Sequence, residues 1–558
     1  MRRATASLLL SSVLTLSSVS FTPAAGLRHE FRALWVDTFN TTLNTHADVV
    51  RIVSSARAAR MNVLLAQVRR RGDAWYLVGA EPPPDFTPIE PGFDPLADLL
   101  ATAHSAGIQV HAYVIASAIW NKDPALSPPA NGPPLDPRHV FNQHGGYDSA
   151  TRTVVQGPST WLTRTLLPDG PGIAYQGHRI NGEFWLDFGH PDAAAYTVQV
   201  LTQLVSNYDV DGLHLDRIRY PELTASGQTP SAGANIGYNA VSVARFQRRY
   251  GISAATTPSP GDLRWADWRR AQVTNLVRRI YLNCAAIKPG ILISAALIAF
   301  GGGPATDQAW QSAEAYWRVY QDWRAWLAEG ILDVAIPMNY KREHDALQAA
   351  QFDQWMAFAK SHQYNRAALV GVGAFLNGVE GTLRQVRRSL AADRDGQALG
   401  VAFFSLANAS DAVVNNPFAL PPGQTSPKRD FGDLAAALTT GGAIDGRSRY
   451  ELPMEPVFQD EALAPVLSWK IAPRVGHVMG YATLDDGTLL DGVAVRLVDL
   501  RAGIVRGAET DGGGFFGFVD VEPGAYALAF AKAGPALRTM RIDVQSGHVT
   551  SVVLTATP

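Results

Sequence analysis

The chain has 558 residues, more than one ordinary hydrophobic core accommodates, so two or three domains are expected. Its 47% hydrophobic and 18% charged residues exclude a disordered chain, and a formal net charge of -2 without a dense basic run gives no electrostatic case for nucleic-acid binding. The single cysteine, Cys284, excludes an intramolecular disulfide framework and a Cys-rich metal site.

At the N-terminus Arg2 and Arg3 precede an apolar stretch, Leu8 to Val19, which gives way to Pro23-Ala-Ala-Gly26. Basic, then apolar, then small is the order of a secretory signal, and the apolar part is short for a membrane span. A signal over residues 1–26 is expected, with the mature chain secreted, periplasmic or associated with the cell envelope and without a transmembrane segment.

From Phe31 the pattern alternates between strand-like and helix-like runs. Arg32 to Asp37 reads as a strand, and His46 to Arg60 as a helix that Asn44 or Thr45 can cap. Asn62 to Val68 is a second strand, Asp94 to Ala106 a helix ending at Gly107, and Ile108 to Ile115 a third strand. Ser117 to Glu183 is rich in Pro, Gly and Asn, with no sustained periodicity. Because it follows a strand's C-terminal end, it is expected over the mouth of the site, with Trp120 and Trp161 as sugar platforms.

Regularity resumes at Phe184 to Asp187 and in a helix from His190 to Tyr208. The fourth strand lies in Asp211-Gly-Leu-His-Leu-Asp-Arg-Ile-Arg-Tyr-Pro221. Leu213 and Leu215 alternate with Gly212, His214 and Asp216, so the polar set takes one face. With helices on either side this is a parallel strand, and His214 and Asp216 point into a barrel or crevice. After an irregular Glu222 to Asn239 come helices at Val241 to Tyr250 and Trp265 to Ile287. Strands at Ile291–Leu297, Leu332–Met338, Ala367–Ala374 and Ala398–Ser405 follow, interleaved with helices at Ala313–Ala328, Ala346–Ser361 and Thr382–Ala391.

Eight strands, mostly each with a helix, predict a (β/α)8 barrel with loop insertions over residues 27–408. A doubly wound sheet would carry a phosphate-binding glycine fingerprint, which the chain lacks. Residues 409–473 read as linker or barrel-edge wrapping. Over 474–558 short alternating runs separated by Asp486-Gly487 and Asp511-Gly-Gly-Gly514 predict a small β-sandwich.

Carboxylates fall at or beyond strand ends: Asp37, Asp73, Asp187, Asp216, Glu222, Glu343 and Glu380. Hydrolysis of a glycoside needs two, one protonated and one ionised, flanking the scissile bond. Asp216 is the leading candidate, with Glu343 or Glu380 as its partner. Around it the expected substrate-binding set is Asp37, Gln67, Arg69, Asp73, Tyr113, Trp120, Asp187, His214, Arg219, Tyr220, Asn339 and Tyr340. The histidines lack metal-ligand spacing and no Gly-x-Ser-x-Gly elbow occurs, so neither a metal, another cofactor nor a serine nucleophile is expected.

Five separated motifs then resemble the glycosyl hydrolase-like family 10: Phe31-Arg-Ala-Leu-Trp-Val-Asp37, Gln67-Val-Arg69 with Gly72-Asp-Ala-Trp-Tyr76, Trp185-Leu-Asp187, the Asp211–Pro221 stretch and Pro337-Met-Asn-Tyr340. The resemblance implies a mostly secreted bacterial (β/α)8 protein that hydrolyses glycosidic bonds, with some members similar to cell-wall glycosidases acting on glycan strands stripped of peptide. This chain departs by carrying Arg217 where many relatives place a second acidic residue. The Asp-Gly-x-x-x-Asp form also resembles α-amylase-type barrels, but Ile293-Ser-Ala-Ala-Leu297 lacks their acid glutamate. Gly492-Val-Ala-Val495, Thr510-Asp-Gly-Gly-Gly-Phe515 and Pro523-Gly-Ala-Tyr526 resemble a carboxypeptidase-regulatory-like sandwich domain, which implies a spacer or attachment module. The expected partner is therefore a polysaccharide, most readily bacterial cell-wall glycan. Two other readings stand beside a hydrolase: a carbohydrate-binding barrel without catalysis, and a structural envelope protein.

Overall fold

The computed structural model describes residues 28–85, 88–148, 150–151, 153–166, 174–223, 229–408, 431–441, 455–530 and 538–556, except 125–131. The expected signal segment lies outside these residues. Eight parallel strands close into a barrel: β1 (Phe31–Val36), β2 (Val63–Arg69), β3 (Gln109–Ile115), β4 (Gly212–Asp216), β5 (Leu292–Leu297), β6 (Val334–Asn339), β7 (Ala367–Gly373) and β8 (Gly400–Phe404). Strand β8 pairs back onto β1 through Gly400↔Phe31 and Ala402↔Ala33. Alternate residues fill the interior, among them Phe31, Ala33 and Trp35 of β1, Val63 and Leu65 of β2, and Val334 and Ile336 of β6. The other alternate set packs outward under the helices, which is why each strand reads as a nearly continuous apolar run.

Among the described residues, the helices of seven residues or more are α1 (His46–Ala58), α2 (Pro95–Ser105), α3 (Pro191–Asn207), α4 (Ala240–Tyr250), α5 (Leu263–Ile287), α6 (Trp323–Glu329), α7 (Ala346–Ser361), α8 (Val379–Leu390) and α9 (Phe431–Thr439). Thr45 caps α1 by accepting from the Asp48 N–H, and Asp94 caps α2 with Pro95 behind it. The single helix expected over Ala313–Ala328 is broken. Glu314–Trp317 forms one turn, Tyr320 takes a φ of 58°, and α6 restarts behind the Asp322 cap. Helix α9 packs against α1 and α8 and completes the outer ring.

At the N-terminal end of the barrel, Arg28–His29 pairs with Ala462–Leu463, and Leu467 joins the interior cluster. Trp469 Nε1 donates to Asp333 at 2.8 Å, and Lys470 pairs with the same carboxylate at 2.9 Å. This segment stoppers the end of the barrel opposite the site.

The C-terminal region is a seven-stranded sandwich. One sheet orders β12 (Phe515–Val521), β9 (Gly476–Leu484) and β15 (Val549–Ala556), and the other β11 (Val505–Glu509), β10 (Ala494–Asp499), β13 (Gly524–Phe530) and β14 (Arg538–Val544). Phe515 and Val519 belong to the barrel's outer core. Arg245–Asp491 and Arg366–Asp520 ion pairs, at 2.7 and 2.8 Å, tie the sandwich to the barrel. No helix among the described residues is long and apolar enough to cross a membrane.

Candidate active site

The C-terminal rim of the barrel collects the polar residues that strand alternation turns inward. Asp216 stands at the end of β4, partly exposed, while Leu213 and Leu215 are fully buried on the other face. Its Oδ2 accepts from the Tyr113 hydroxyl at 2.8 Å, and its Oδ1 accepts from the Arg217 N–H at 2.6 Å. Burial, reinforced by the Asp216 charge, holds the Tyr113 phenol protonated well above its usual range. Arg217 adopts a left-handed φ of 50°, a conformation that non-glycine residues hold only when their surroundings impose it. Its guanidinium reaches Glu183 and lies 5.0 Å from the Trp185 ring centre. Burial works against that positive charge, but Glu183 and Asp216 outweigh it and raise the Arg217 pKa.

Below Asp216 the interior is apolar and closely hydrogen-bonded. His214 Nε2 accepts from Trp35 Nε1–H at 3.0 Å, so Nδ1 carries the proton and donates to Ser294 Oγ at 2.9 Å. Burial, with His111 nearby, pushes the His214 pKa down to about 3, so the ring is neutral and serves as floor. Trp35 stands edge-on to Tyr340 and Phe404, at 6.3 and 6.0 Å. Trp35 is buried and backs Tyr340 and Phe404, whose partly exposed rings are of the kind sugar faces stack on. Burial and the Asp216 and Asp37 charges raise the Tyr340 phenol well above its usual range, so Tyr340 sits in the field of both carboxylates. Asp37 is buried, bonded to Asn40 Nδ2 at 2.7 Å and to Ser405 Oγ at 2.9 Å. Gln67 accepts from Thr38 through Oε1, while its Nε2 is buried without a partner, as is Trp185 Nε1.

Several expected site residues are engaged elsewhere. Glu343 lies between α7 and α8, paired with Arg388 at 2.7 Å, and Glu380 sits in the first turn of α8 beside Arg384. Neither reaches Asp216: each follows a strand end by several residues, far enough for the chain to have turned onto the helical layer. Arg69 follows a register shift after Gln67 and is buried in a bidentate pair with Glu81, with Ile115 O as a further acceptor. Asn339 points outward and donates to Phe352 O of α7 at 2.9 Å. Asp187 is fully buried, accepting from Tyr220, Ser242 and the Gly189 N–H, and burial raises its pKa. It thereby joins the segment before α3 to α4 and occupies the Tyr220 hydroxyl.

Asp73 closes its own turn by accepting from the Arg71 N–H. Arg219 pairs with Glu222, its guanidinium 5.7 Å from the Trp185 ring centre. Trp120 is buried and donates to Gly132 O, and Trp161 is stacked on His144 at 3.4 Å, so neither presents a free platform.

The Ser117–Glu183 excursion is more ordered than its composition suggests, with paired strands at Ala118–Trp120, Arg179–Ile180 and Glu183–Trp185. Glu183 and Trp185 share one face of the last strand, and Phe184 packs the other way against Phe141. Trp185 clusters with Tyr113, Ile115 and Ala118, so this face walls the mouth. Glu183, Arg71, Phe404 and Ser405 were not among the expected site residues. The one available signal was the alternation Glu183-Phe-Trp185, which extends the strand read from Phe184 by one residue.

Among curated proteins, glycosyl hydrolase YngK of Bacillus subtilis (strain 168) is 23% identical over 341 residues, covering 58% of this chain and 56% of that protein. Glycosyl hydrolase DigH of Escherichia coli (strain K12) is 27% identical over 262 residues, covering 45% and 47% respectively. The chain thus spans about half the length of the curated relatives it matches. Among solved structures, the PgaB (BpsB) glycoside hydrolase domain from Bordetella bronchiseptica aligns at a TM-score of 0.45 and 12% identity, over 70% of this chain and 96% of that one. The family model described as Glycosyl hydrolase-like 10 matches residues 30–380, which contain the rim residues from Asp37 to Tyr340 but not Phe404 and Ser405. The chain belongs to the glycosyl hydrolase-like 10 family.

Proposed function

We propose that the protein is a secreted glycoside hydrolase that cleaves a polysaccharide by carboxylate chemistry at Asp216. The observation that carries this reading is Asp216 itself, the carboxylate at the tip of β4, partly open and oriented by Tyr113 and the Arg217 N–H. Tyr340 and Phe404, partly exposed, supply apolar faces for a sugar ring, with the buried Trp35 behind them. The unpaired buried donors of Gln67 and Trp185 suit hydroxyl or carbonyl oxygens of a glycan, since such groups are otherwise satisfied in folded proteins. Family membership supports the reaction class. Secretion rests on the basic, apolar, small order of residues 1–26, and bacterial cell-wall glycan on the family resemblance.

The test compares the mature protein with Asp216→Asn on peptidoglycan glycan strands, with and without peptide stems, reading released sugars by mass spectrometry. Release by the unaltered protein and its loss in the variant, with glycan binding kept, supports the proposal. Equal release by both removes Asp216 from the chemistry. A carbohydrate-binding barrel without catalysis is the second reading, favoured by the commitment of Glu343 and Glu380 to Arg388 and Arg384. It predicts binding without release in either protein.

A further inference from the structure

Hydrolysis at Asp216 requires a second carboxylate, and the geometry points to Glu183 as that group, acting as the base that takes the proton of the attacking water. This role rests on the proposed glycosidase reading. Glu183 reaches the mouth on the wall face of the Glu183–Trp185 strand. Its Oε1 accepts from Arg71 at 2.8 and 3.0 Å, and its Oε2 from Arg217. Arg217 is also the residue whose N–H binds Asp216, so one left-handed residue ties the two carboxylates together from opposite sides.

The other rim carboxylates are buried or paired away from Asp216. Asp37 is fully buried, with both oxygens bonded by Asn40 and Ser405. Asp187 is fully buried beneath Tyr220, and Asp73 and Glu222 serve their own local arginines. Glu183 is partly exposed, and it alone among them hydrogen-bonds a residue that also hydrogen-bonds Asp216.

The division of roles follows from the partners. Two guanidinium groups orient Glu183, donating to both of its oxygens, and it is assigned the proton-accepting role. Asp216, whose Tyr113 partner is a hydroxyl able to donate or accept, is assigned the proton-donating role once it has taken a proton from solvent. Water oxygen then bonds to the anomeric carbon while its proton passes to Glu183. The glycosidic C–O bond breaks, its electron pair stays on the leaving oxygen, and that oxygen takes the Asp216 proton. Solvent resets both groups. A base and an acid that act in a single displacement on opposite sides of the sugar invert the product anomer.

The anomer formed by the unaltered protein on peptide-free glycan strands, read by proton NMR before mutarotation, needs no variant. Inversion is expected, and retention overturns the base role. Glu183→Gln is expected to lower release at least about a hundredfold with glycan affinity kept. Azide, a nucleophile that needs no deprotonation, is expected to restore turnover to Glu183→Ala as a glycosyl azide, which a merely structural loss does not allow. Overturning results are Glu183→Gln keeping more than a tenth of the release while Asp216→Asn loses it, or no azide rescue. Absence of release by the unaltered protein across these strands and chitin oligosaccharides removes the glycosidase reading itself, and this role with it.

Discussion

Tyr113 and Asp216 sit on neighbouring strands with their Cα atoms two register positions apart, yet the phenol spans the gap and meets the carboxylate at 2.8 Å. Tyr113 pairs in register with His214, and Asp216 with Ile115, so the long ring leans along the barrel axis toward the rim. A hydrogen bond to a charged group contributes about 1.5–3 kcal/mol, so Tyr113→Phe is expected to lower kcat/KM roughly ten- to hundredfold. Its melting temperature should change little, because the ring stays buried. Since burial and Asp216 raise the phenol's pKa, the alkaline limb of the activity profile should be unchanged in Tyr113→Phe; a limb that moves would mean the phenol titrates during turnover.

Arg69 illustrates how a residue with a binding-site appearance becomes a strut. Its guanidinium and the Glu81 carboxylate are both fully buried, and Tyr196 of α3 donates to the same carboxylate at 2.7 Å. Removing one member of a buried pair strands the other, at a cost of about 3–5 kcal/mol. Glu81→Gln is therefore expected to lower the melting temperature sharply, while the Arg69→Met, Glu81→Leu double variant recovers much of the loss. A double variant no more stable than Glu81→Gln counts against the strut. Any protein that folds should keep its glycan affinity, since neither group touches the mouth.

The sequence was most legible where one physical rule acts alone. Strand alternation correctly turned His214 and Asp216 inward, and the eight apolar runs gave the barrel. It failed where a second constraint intervened. The register shift after Gln67 rotates Arg69 out of the inward set, and Asn339 lies one residue out of phase with inward Met338. Strand β11 carries little apolar signal because an edge strand needs no apolar face, and its burial alternates only between exposed and half-buried. Glu183 was hidden for a different reason. It reaches the rim through contacts with residues far away in sequence, and no local period encodes those.

Buried neutral histidines make the fold acid-sensitive. Burial pushes His214 down to about 3 and His111 and His178 to about 4, all below the ordinary 6.5. The unfolded chain binds protons near pH 6.5 that the native chain refuses. The stability these rings contribute is thus fully present above pH 6.5 and is lost progressively as pH falls toward 4 and then 3. Each ring adds up to about 1.4 kcal/mol per pH unit to that slope. The melting temperature is expected to be flat from pH 7 to 8 and to fall steeply below 6. His214→Gln should melt lower at neutral pH, having lost its pairing with Trp35 and Ser294, yet with a shallower acid slope. An unchanged slope would rule out His214 as a source.

The sandwich is expected to behave as a brace rather than a tethered module. Gly517 of β12 leaves no room for a Cβ against Leu282 of α5, and Gly512 likewise admits the Arg245 guanidinium. Arg245, Arg279 and Arg366 then reach Asp491, Asp511 and Asp520 across the junction. Ending the chain at Pro473 would expose the α5 surface that covers Phe515 and Val519 and would leave these three arginines without their carboxylates. We expect the full chain to melt in one cooperative calorimetric transition and the shortened barrel to melt lower or aggregate. Gly517→Val, which overfills the contact at a cost of about 1–3 kcal/mol, should lower that same transition rather than split it. Two separate transitions in the unaltered protein, with the barrel's unmoved by truncation, would restore the spacer reading drawn from the Thr510-Asp-Gly-Gly-Gly-Phe515 pattern.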